Sequence, residues 1–104
     1  MTIYGKEIDF KISNVKHATN AELALEELGK TENVVKSMDK KDLVTVLTSM
    51  ISMFQQFFIT ATGEDVLVDC EDLQEARDAY EQFFAEIEKQ KKSMLAPYSI
   101  NRIK

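Results

Sequence analysis

The sequence predicts a mainly helical single domain, residues 1–104, in which an N-terminal β-hairpin packs on a bundle of three to four helices. Three observations predict this fold. Residues 43–63 form an apolar stretch of 21 residues without a charge, in a chain of which 30% is charged. Helical spacing of apolar residues recurs before and after that stretch. Strand-like alternation is confined to residues 2–12.

Length and composition favour a small intracellular protein. A chain of 104 residues can bury a modest core without disulfides or metal. Its single cysteine, Cys70, cannot form an internal disulfide, which favours a reducing compartment. The first residues contain no basic leader and no apolar run of signal-peptide length, so a cytoplasmic location is expected. The net charge of −5 argues against binding to nucleic acid.

Residues 1–13 are predicted to form the β-hairpin, with Gly5-Lys6 as its turn. Two isolated strands are marginally stable in water, so this ribbon must pack on the helices. Its apolar residues at alternating positions are Ile3, Ile8, Phe10 and Ile12. A second extended segment is an alternative to a plain loop at residues 66–68.

Residues 14–96 are predicted to form the helical bundle. Thr19 and Glu22 have the spacing of a capping box, which predicts the start of the first helix. Gly29 leaves open whether one helix or two precede the central one. Asp39 is the expected N-cap of the central helix, and Gly63 is its expected C-terminal stop.

The uncharged stretch 43–63 is predicted to be the central helix. Its apolar residues recur at steps of three and four, so they share one face of a helix. That stripe comprises Leu43, Leu47, Met50, Phe54, Phe57 and Ala61, flanked by Val44, Ile51 and Phe58 on one side and by Val46 and Met53 on the other. The opposite face lacks the Lys and Glu typical of a solvated helix, which indicates a partial cover; it comprises Thr45, Thr48, Ser49, Ser52, Gln55, Gln56 and Thr60.

A membrane span is the alternative interpretation of this stretch, because about 20 apolar residues can cross a bilayer. At least seven hydroxyl and amide side chains lie within it, and no basic segment flanks it on one side only. A buried helix of a soluble protein is therefore favoured, and no membrane partner is expected.

The last helix is predicted over residues 70–95, capped by Asp69 and ended by Pro97, with residues 97–104 as a C-terminal tail. Its inward stripe comprises Leu73, Ala76, Tyr80, Phe83, Ile87 and Met94. Residues 64–88 have a net charge of −9, and residues 89–104 have a net charge of +5. Acids first and bases last is the order that the helix dipole favours, so this asymmetry needs no ligand.

No catalytic, cofactor-binding or metal-binding residues are predicted. His17 is the only histidine, and it has no second histidine or paired cysteine with which to hold zinc. Cys70 lies at a predicted helix start without a catalytic partner. The acids Asp65, Asp69, Glu71 and Asp72 lack the spacing of a calcium-binding EF-hand loop, so helix capping explains them better.

The central helix also carries a candidate protein-interaction surface. Methionine and phenylalanine side chains pack adaptably, so they suit either an ordinary core or a surface that holds an apolar segment of another chain. The residues predicted for this surface are Thr45, Thr48, Ser49, Ser52, Gln55, Gln56, Met50, Met53 and Phe57.

Five short motifs follow one another along the chain: I-x-G-K-E-I-D-F at 3–10, F-x-x-F-F at 54–58, Gly63-Glu64, Cys70 at a helix start, and Y-S-x-N-R at 98–102. In that order they resemble a family of small proteins encoded among the tail genes of phages and prophages of Gram-positive bacteria, of the tail assembly chaperone type. Asp65 and Val66 depart from the family pattern, which has a second glycine after the Gly-Glu turn.

The resemblance implies a non-enzymatic protein in the cytoplasm of the bacterial host. Such chaperones self-associate, bind the apolar tape measure protein and help to recruit the tail tube protein. The alternative is a structural virion component, a small tail or head–tail connector subunit. A third possibility is an acidic inhibitor that mimics DNA through residues 64–88, and an enzyme ranks last.

Overall fold

The computed structural model describes residues 1–38 and 42–103, with side chains described as far as residue 96. Its elements are β1 (Thr2–Ile3), β2 (Lys6–Glu7), α1 (Val15–Lys36), α2 (Leu43–Thr62) and α3 (Leu73–Ile103). Well over half of the chain is helical, and the two strands form one antiparallel hairpin. The predicted fold class is therefore confirmed, with three helices.

The hairpin turns one residue earlier than predicted. Thr2 pairs with Glu7 and Ile3 with Lys6, so the turn consists of Tyr4 and Gly5. Both residues have positive φ, 52° and 76°, as a tight hairpin turn of the mirror-image type requires. The sequence signal at Gly5 was correct, but glycine occupies the second central position of the turn.

Side chains of α3 hold the N-terminal segment against the helices. Gln82 Nε2 donates to the Thr2 carbonyl at 3.2 Å. Gln90 accepts from the Ile12 backbone N–H at 2.8 Å and donates to the Phe10 carbonyl at 3.2 Å. The strands themselves are only two residues long, so these contacts and the burial of Ile8 and Phe10 keep the segment in place.

Helix α1 begins before the predicted capping box. Asn14 is its N-cap, and the Asn14 side chain accepts from the backbone N–H groups of Lys16 and His17 at 2.9 and 3.2 Å. Thr19 lies inside the helix, where its hydroxyl donates to the Val15 carbonyl. The helix continues through Gly29, so one helix, not two, precedes α2.

Helix α2 is capped by Asp42, whereas Asp39 was predicted; Asp39 lies outside the described residues. Its predicted C-terminal stop is confirmed. Gly63 has φ 78°, and its N–H donates to the Ile59 carbonyl at 2.9 Å. This left-handed cap is a conformation that glycine adopts without steric cost.

The Asp42 cap predicts a pH dependence of stability. The Thr45 hydroxyl donates to one Asp42 carboxylate oxygen at 2.7 Å and the Thr45 N–H to the other at 3.1 Å, and these bonds lower the pKa of Asp42 below its usual 3.8. A lowered folded-state pKa stabilises the fold above the unfolded-state pKa, and this contribution is lost as pH falls through the folded value. Asp42→Ala should therefore lower the melting temperature near pH 7.

The difference between wild type and Asp42→Ala should shrink as the pH falls through the lowered folded-state pKa of Asp42, because both proteins then lack the carboxylate. Thermal unfolding followed by circular dichroism at a series of pH values measures it. Asp69→Ala, at an exposed loop residue, is the matched control. A difference that is constant across the whole pH range would contradict the assignment of the cap to the ionised carboxylate.

Helix α3 starts later and ends later than predicted. Its N-cap carboxylate belongs to Asp72, which accepts from the Glu75 N–H at 3.1 Å, and not to Asp69. The helix passes through Pro97 to Ile103, so the predicted tail is wrong for residues 97–103, and Lys104 lies outside the described residues. Proline lacks the N–H that would bond to the carbonyl four residues earlier, but its fixed φ is compatible with a helix.

The core lies where the second half of α2 meets α3 and the N-terminal segment. Phe54 and Phe83 are 7% and 0% exposed, as predicted for these two stripe positions. The loop between α2 and α3 forms turns, without a strand at 66–68, and it contributes the buried side chains of Val66 and Leu67. The core rings that contact one another at centroid distances of 4.9–5.9 Å are Phe10, Phe54, Phe57, Phe58, Tyr80, Phe83 and Phe84.

Candidate protein-interaction surface

The first half of α2 extends away from the core and pairs with the second half of α1. The two helices run antiparallel, since Glu27 of α1 meets Thr60 of α2 while the residues around Val34 meet those around Thr48. Ring contacts from α3 reach α2 from Phe54 onwards. The antiparallel pair α1 and α2 is a helical hairpin, separate from the β-hairpin of β1 and β2. We call the exposed apolar side chains at the end of this helix pair that lies away from the core the hairpin end: Val34 (64% exposed), Leu43 (64%), Val44 (74%) and Leu47 (37%).

Next to the hairpin end, α1 and α2 enclose an open groove of about 580 Å³, which we call the interhelical groove. The described residues that line it are apolar, or polar without charge. The residues that line it are Thr31, Val34, Val35 and Met38 from α1 and Thr48, Ser49, Ser52, Met53 and Gln56 from α2. Uncharged polar groups of this kind can be desolvated at a contact when each finds a hydrogen bond.

The structure brings five of the nine predicted interaction residues together in the interhelical groove: Thr48, Ser49, Ser52, Met53 and Gln56. Thr45 lies outside it, bonded to the Asp42 cap. Gln55 donates to both carboxylate oxygens of Asp65 at 2.9 and 3.1 Å. Met50 is half-buried outside the groove lining.

The structure corrects the prediction at Phe57. This residue is 3% exposed, and its ring contacts Phe58, Tyr80, Phe83 and Phe84, so it belongs to the core. At the other end of α2, residues that were predicted to be covered are exposed. Leu43 and Leu47 were assigned to the inward stripe, but α1 alone cannot cover a helix that is apolar around half its circumference.

Sequence reasoning missed the α1 side of the groove. Val34 is exposed, and Val35 and Met38 are half-buried in the groove wall. A signal was present in the sequence, because Thr31, Val35 and Met38 recur at steps of four and three residues, which places them on one face of a helix.

The groups considered for chemistry have structural partners. His17 stacks on Phe10 with ring centroids 5.5 Å apart, and its Nδ1 accepts from the Lys11 N–H at 3.0 Å. Cys70 Sγ donates to the Asp72 carbonyl at 3.3 Å. The neighbouring Cys70 thiol and desolvation raise the pKa of Tyr4 to about 12, and the Tyr4 hydroxyl donates to Glu75 Oε1 at 3.3 Å.

Acidic groups do not converge on a metal site within residues 1–38 and 42–103. No cluster of three or more histidine, cysteine, aspartate or glutamate side chains is positioned there to hold an ion. Of the four acids considered for calcium, Asp65 accepts from Gln55 and Asp72 caps α3.

Helix α2 is apolar enough to cross a membrane by length and composition. Its best window has a mean hydropathy of 1.5, and 22% of that window is buried within the protein. Core helices of soluble proteins have the same length and hydropathy, so these two properties are shared by membrane-spanning and buried helices. What the buried fraction does show is how much of this uncharged helix the rest of the chain leaves uncovered.

The chain matches no protein-family model, no curated protein and no solved structure. The described fold and surface define a class: a small protein of three helices and one hairpin, with a phenylalanine-rich core at one part of α2 and an uncharged, partly apolar surface at the other.

Proposed function

We propose that this protein is a phage tail assembly chaperone, which self-associates and binds the tape measure protein without catalysing a reaction. It acts in the cytoplasm of the bacterial host, and the tail tube protein is a further partner. The observation that carries the proposal is the uncharged surface formed by the hairpin end and the interhelical groove. The family resemblance carried by the motifs from 3–10 to 98–102 is the reason for proposing the tape measure protein as the client.

An apolar client segment fits this surface for three physical reasons. Four large aliphatic side chains are exposed at the hairpin end, and exposed apolar surface of this kind is typical of docking sites. Met38, half-buried in the groove wall, can adapt to different client side chains. Among the described residues, those that line the groove carry no charge that would have to be desolvated when a client helix enters.

The partners of the reactive groups support the non-enzymatic part of the proposal. The imidazole of His17 accepts a backbone hydrogen bond and stacks on a core ring. The thiol of Cys70 donates to a backbone carbonyl. Both groups thus contribute to local structure, and binding, not chemistry, is what the exposed surface of this protein supports.

Co-expression with the tape measure protein from the same tail gene cluster tests the function. We expect the tape measure protein to remain in the soluble fraction and to co-purify with this protein, because its apolar segments are covered. The tape measure protein expressed alone is the control and should precipitate. If it precipitates in both cultures, the chaperone function is wrong, and detection of this protein in purified particles would establish the virion component instead.

A further inference from the structure

The exposed face of α3 carries a line of charged residues arranged around one alanine. The residues recur at steps of three and four, so they form one ridge along the helix: Asp78, Glu81, Ala85, Lys89 and Lys92. All five are exposed. The two acids precede Ala85 and the two lysines follow it, so the ridge has a negative half and a positive half.

The helix dipole does not explain this ridge once the true bounds of α3 are known. Dipole effects decay within the first and last turns of a helix. Because α3 runs from Leu73 to Ile103, Glu81 lies about two turns inside its start and Lys92 about three turns before its end. The helix dipole therefore does not account for the charge order on the ridge.

The spacing of the ridge is symmetric about Ala85. Asp78 lies as many residues before it as Lys92 lies after it, and Glu81 and Lys89 are likewise equidistant from it. If two copies of α3 cross antiparallel at Ala85, each Asp78 opposes a Lys92 and each Glu81 opposes a Lys89. A two-fold axis repeats both pairs, which gives four ion pairs in one contact.

This register is also the one that avoids repulsion. A crossing centred on Glu81 would bring two glutamates together, and a crossing centred on Lys89 would bring two lysines together. At Ala85 the small side chain lets the helices approach closely, and steps of three and four residues suit helix packing at a shallow angle.

We propose that the exposed face of α3 is the docking surface for a second copy of this chain, in an antiparallel two-fold contact centred on Ala85. Glu81 and Lys92 make no ion pair with any residue that the structure describes, so both are available to a partner. Lys89 lies 3.4 Å from Glu86, an exposed pair that solvent competes for readily. The inference rests on the proposed function only in that it gives self-association a location, separate from the interhelical groove.

Sedimentation velocity over a range of concentrations measures the contact. Wild type should dimerise, and raising NaCl from about 0.05 M to about 0.5 M should weaken dimerisation by about tenfold or more, because exposed ion pairs are screened. Asp78→Lys with Glu81→Lys makes the ridge basic throughout, and Lys89→Glu with Lys92→Glu makes it acidic throughout. Each double variant alone should be monomeric, whereas their equimolar mixture should form a heterodimer.

Lys30→Glu with Lys36→Glu is the matched control. It changes the net charge by the same amount as Lys89→Glu with Lys92→Glu, but on exposed positions of α1, so it should dimerise like wild type. Circular dichroism checks the fold of each variant, and the salt dependence of wild type decides the question even if a variant unfolds. Dimerisation that is insensitive to salt, or a mixture that stays monomeric, would overturn the α3 contact. Neither result depends on whether the tape measure protein stays soluble, so the two proposals fail separately.

Discussion

Phe83→Ala is expected to lower the free energy of unfolding by about 3–5 kcal/mol, because it removes a fully buried ring and leaves a cavity. The ring lies where α2, α3 and the N-terminal segment meet. It contacts four other rings at centroid distances of 5.0–5.7 Å: Phe10, Phe57, Phe58 and Phe84. A small domain is stable by only about 5–15 kcal/mol, so this single change removes a large share.

Urea unfolding of wild type and variant measures the loss. Phe83→Leu keeps much of the apolar volume and should recover more than half of it. Leu43→Ala, at a 64% exposed position of the hairpin end, is the second comparison and should change stability by no more than about 0.5 kcal/mol. A loss below about 1 kcal/mol for Phe83→Ala would mean that the three parts of the chain do not share one core.

Ser52→Glu is expected to abolish co-purification of the tape measure protein while leaving this protein folded. Ser52 is exposed on the wall of the interhelical groove, so the free protein can hydrate a carboxylate there. A client segment in the groove would have to bury that charge without a partner, at a cost of several kcal/mol. Thr48→Lys, on the same wall, should have the same effect with the opposite charge.

Pull-down with tagged protein gives the readout, and circular dichroism confirms the fold. Asn33→Glu is the matched control, because it adds the same charge at an exposed position of α1 that is not part of the groove lining. Full client binding by both groove variants would show that the client docks on another surface of the molecule. Loss of binding by the Asn33→Glu control would show that net charge, not the groove, controls the interaction.

Helical periodicity was sufficient to predict the class of fold and the centre of the core. Phe54 and Phe83 were assigned to inward stripes, and both are buried. Helix starts were less predictable, since they depend on distant contacts. Thr19 and Glu22 form a good local cap, but the chain starts α1 at Asn14, where His17 can stack on Phe10 and accept a bond from the Lys11 N–H.

Of the candidate surface, the sequence predicted the α2 side but not the α1 side. The absence of charge on α2 pointed to Thr48 and Ser52, which do line the groove. Periodicity could not show which α1 residues would face them, because the pairing of two helices is decided by tertiary packing. Nor could it separate Phe57, whose ring contacts rings of α3, from Leu43, which is 64% exposed.

The uneven cover of α2 has a dynamic consequence. Amides in its second half are protected from hydrogen exchange by the aromatic core and should open only with global unfolding. The first turns, from Leu43 to Leu47, have exposed side chains and few buried contacts, so they can open in a smaller local event. One continuous helix thus combines a rigid anchor with an end that a bound segment would order, and part of the binding free energy is spent on that ordering.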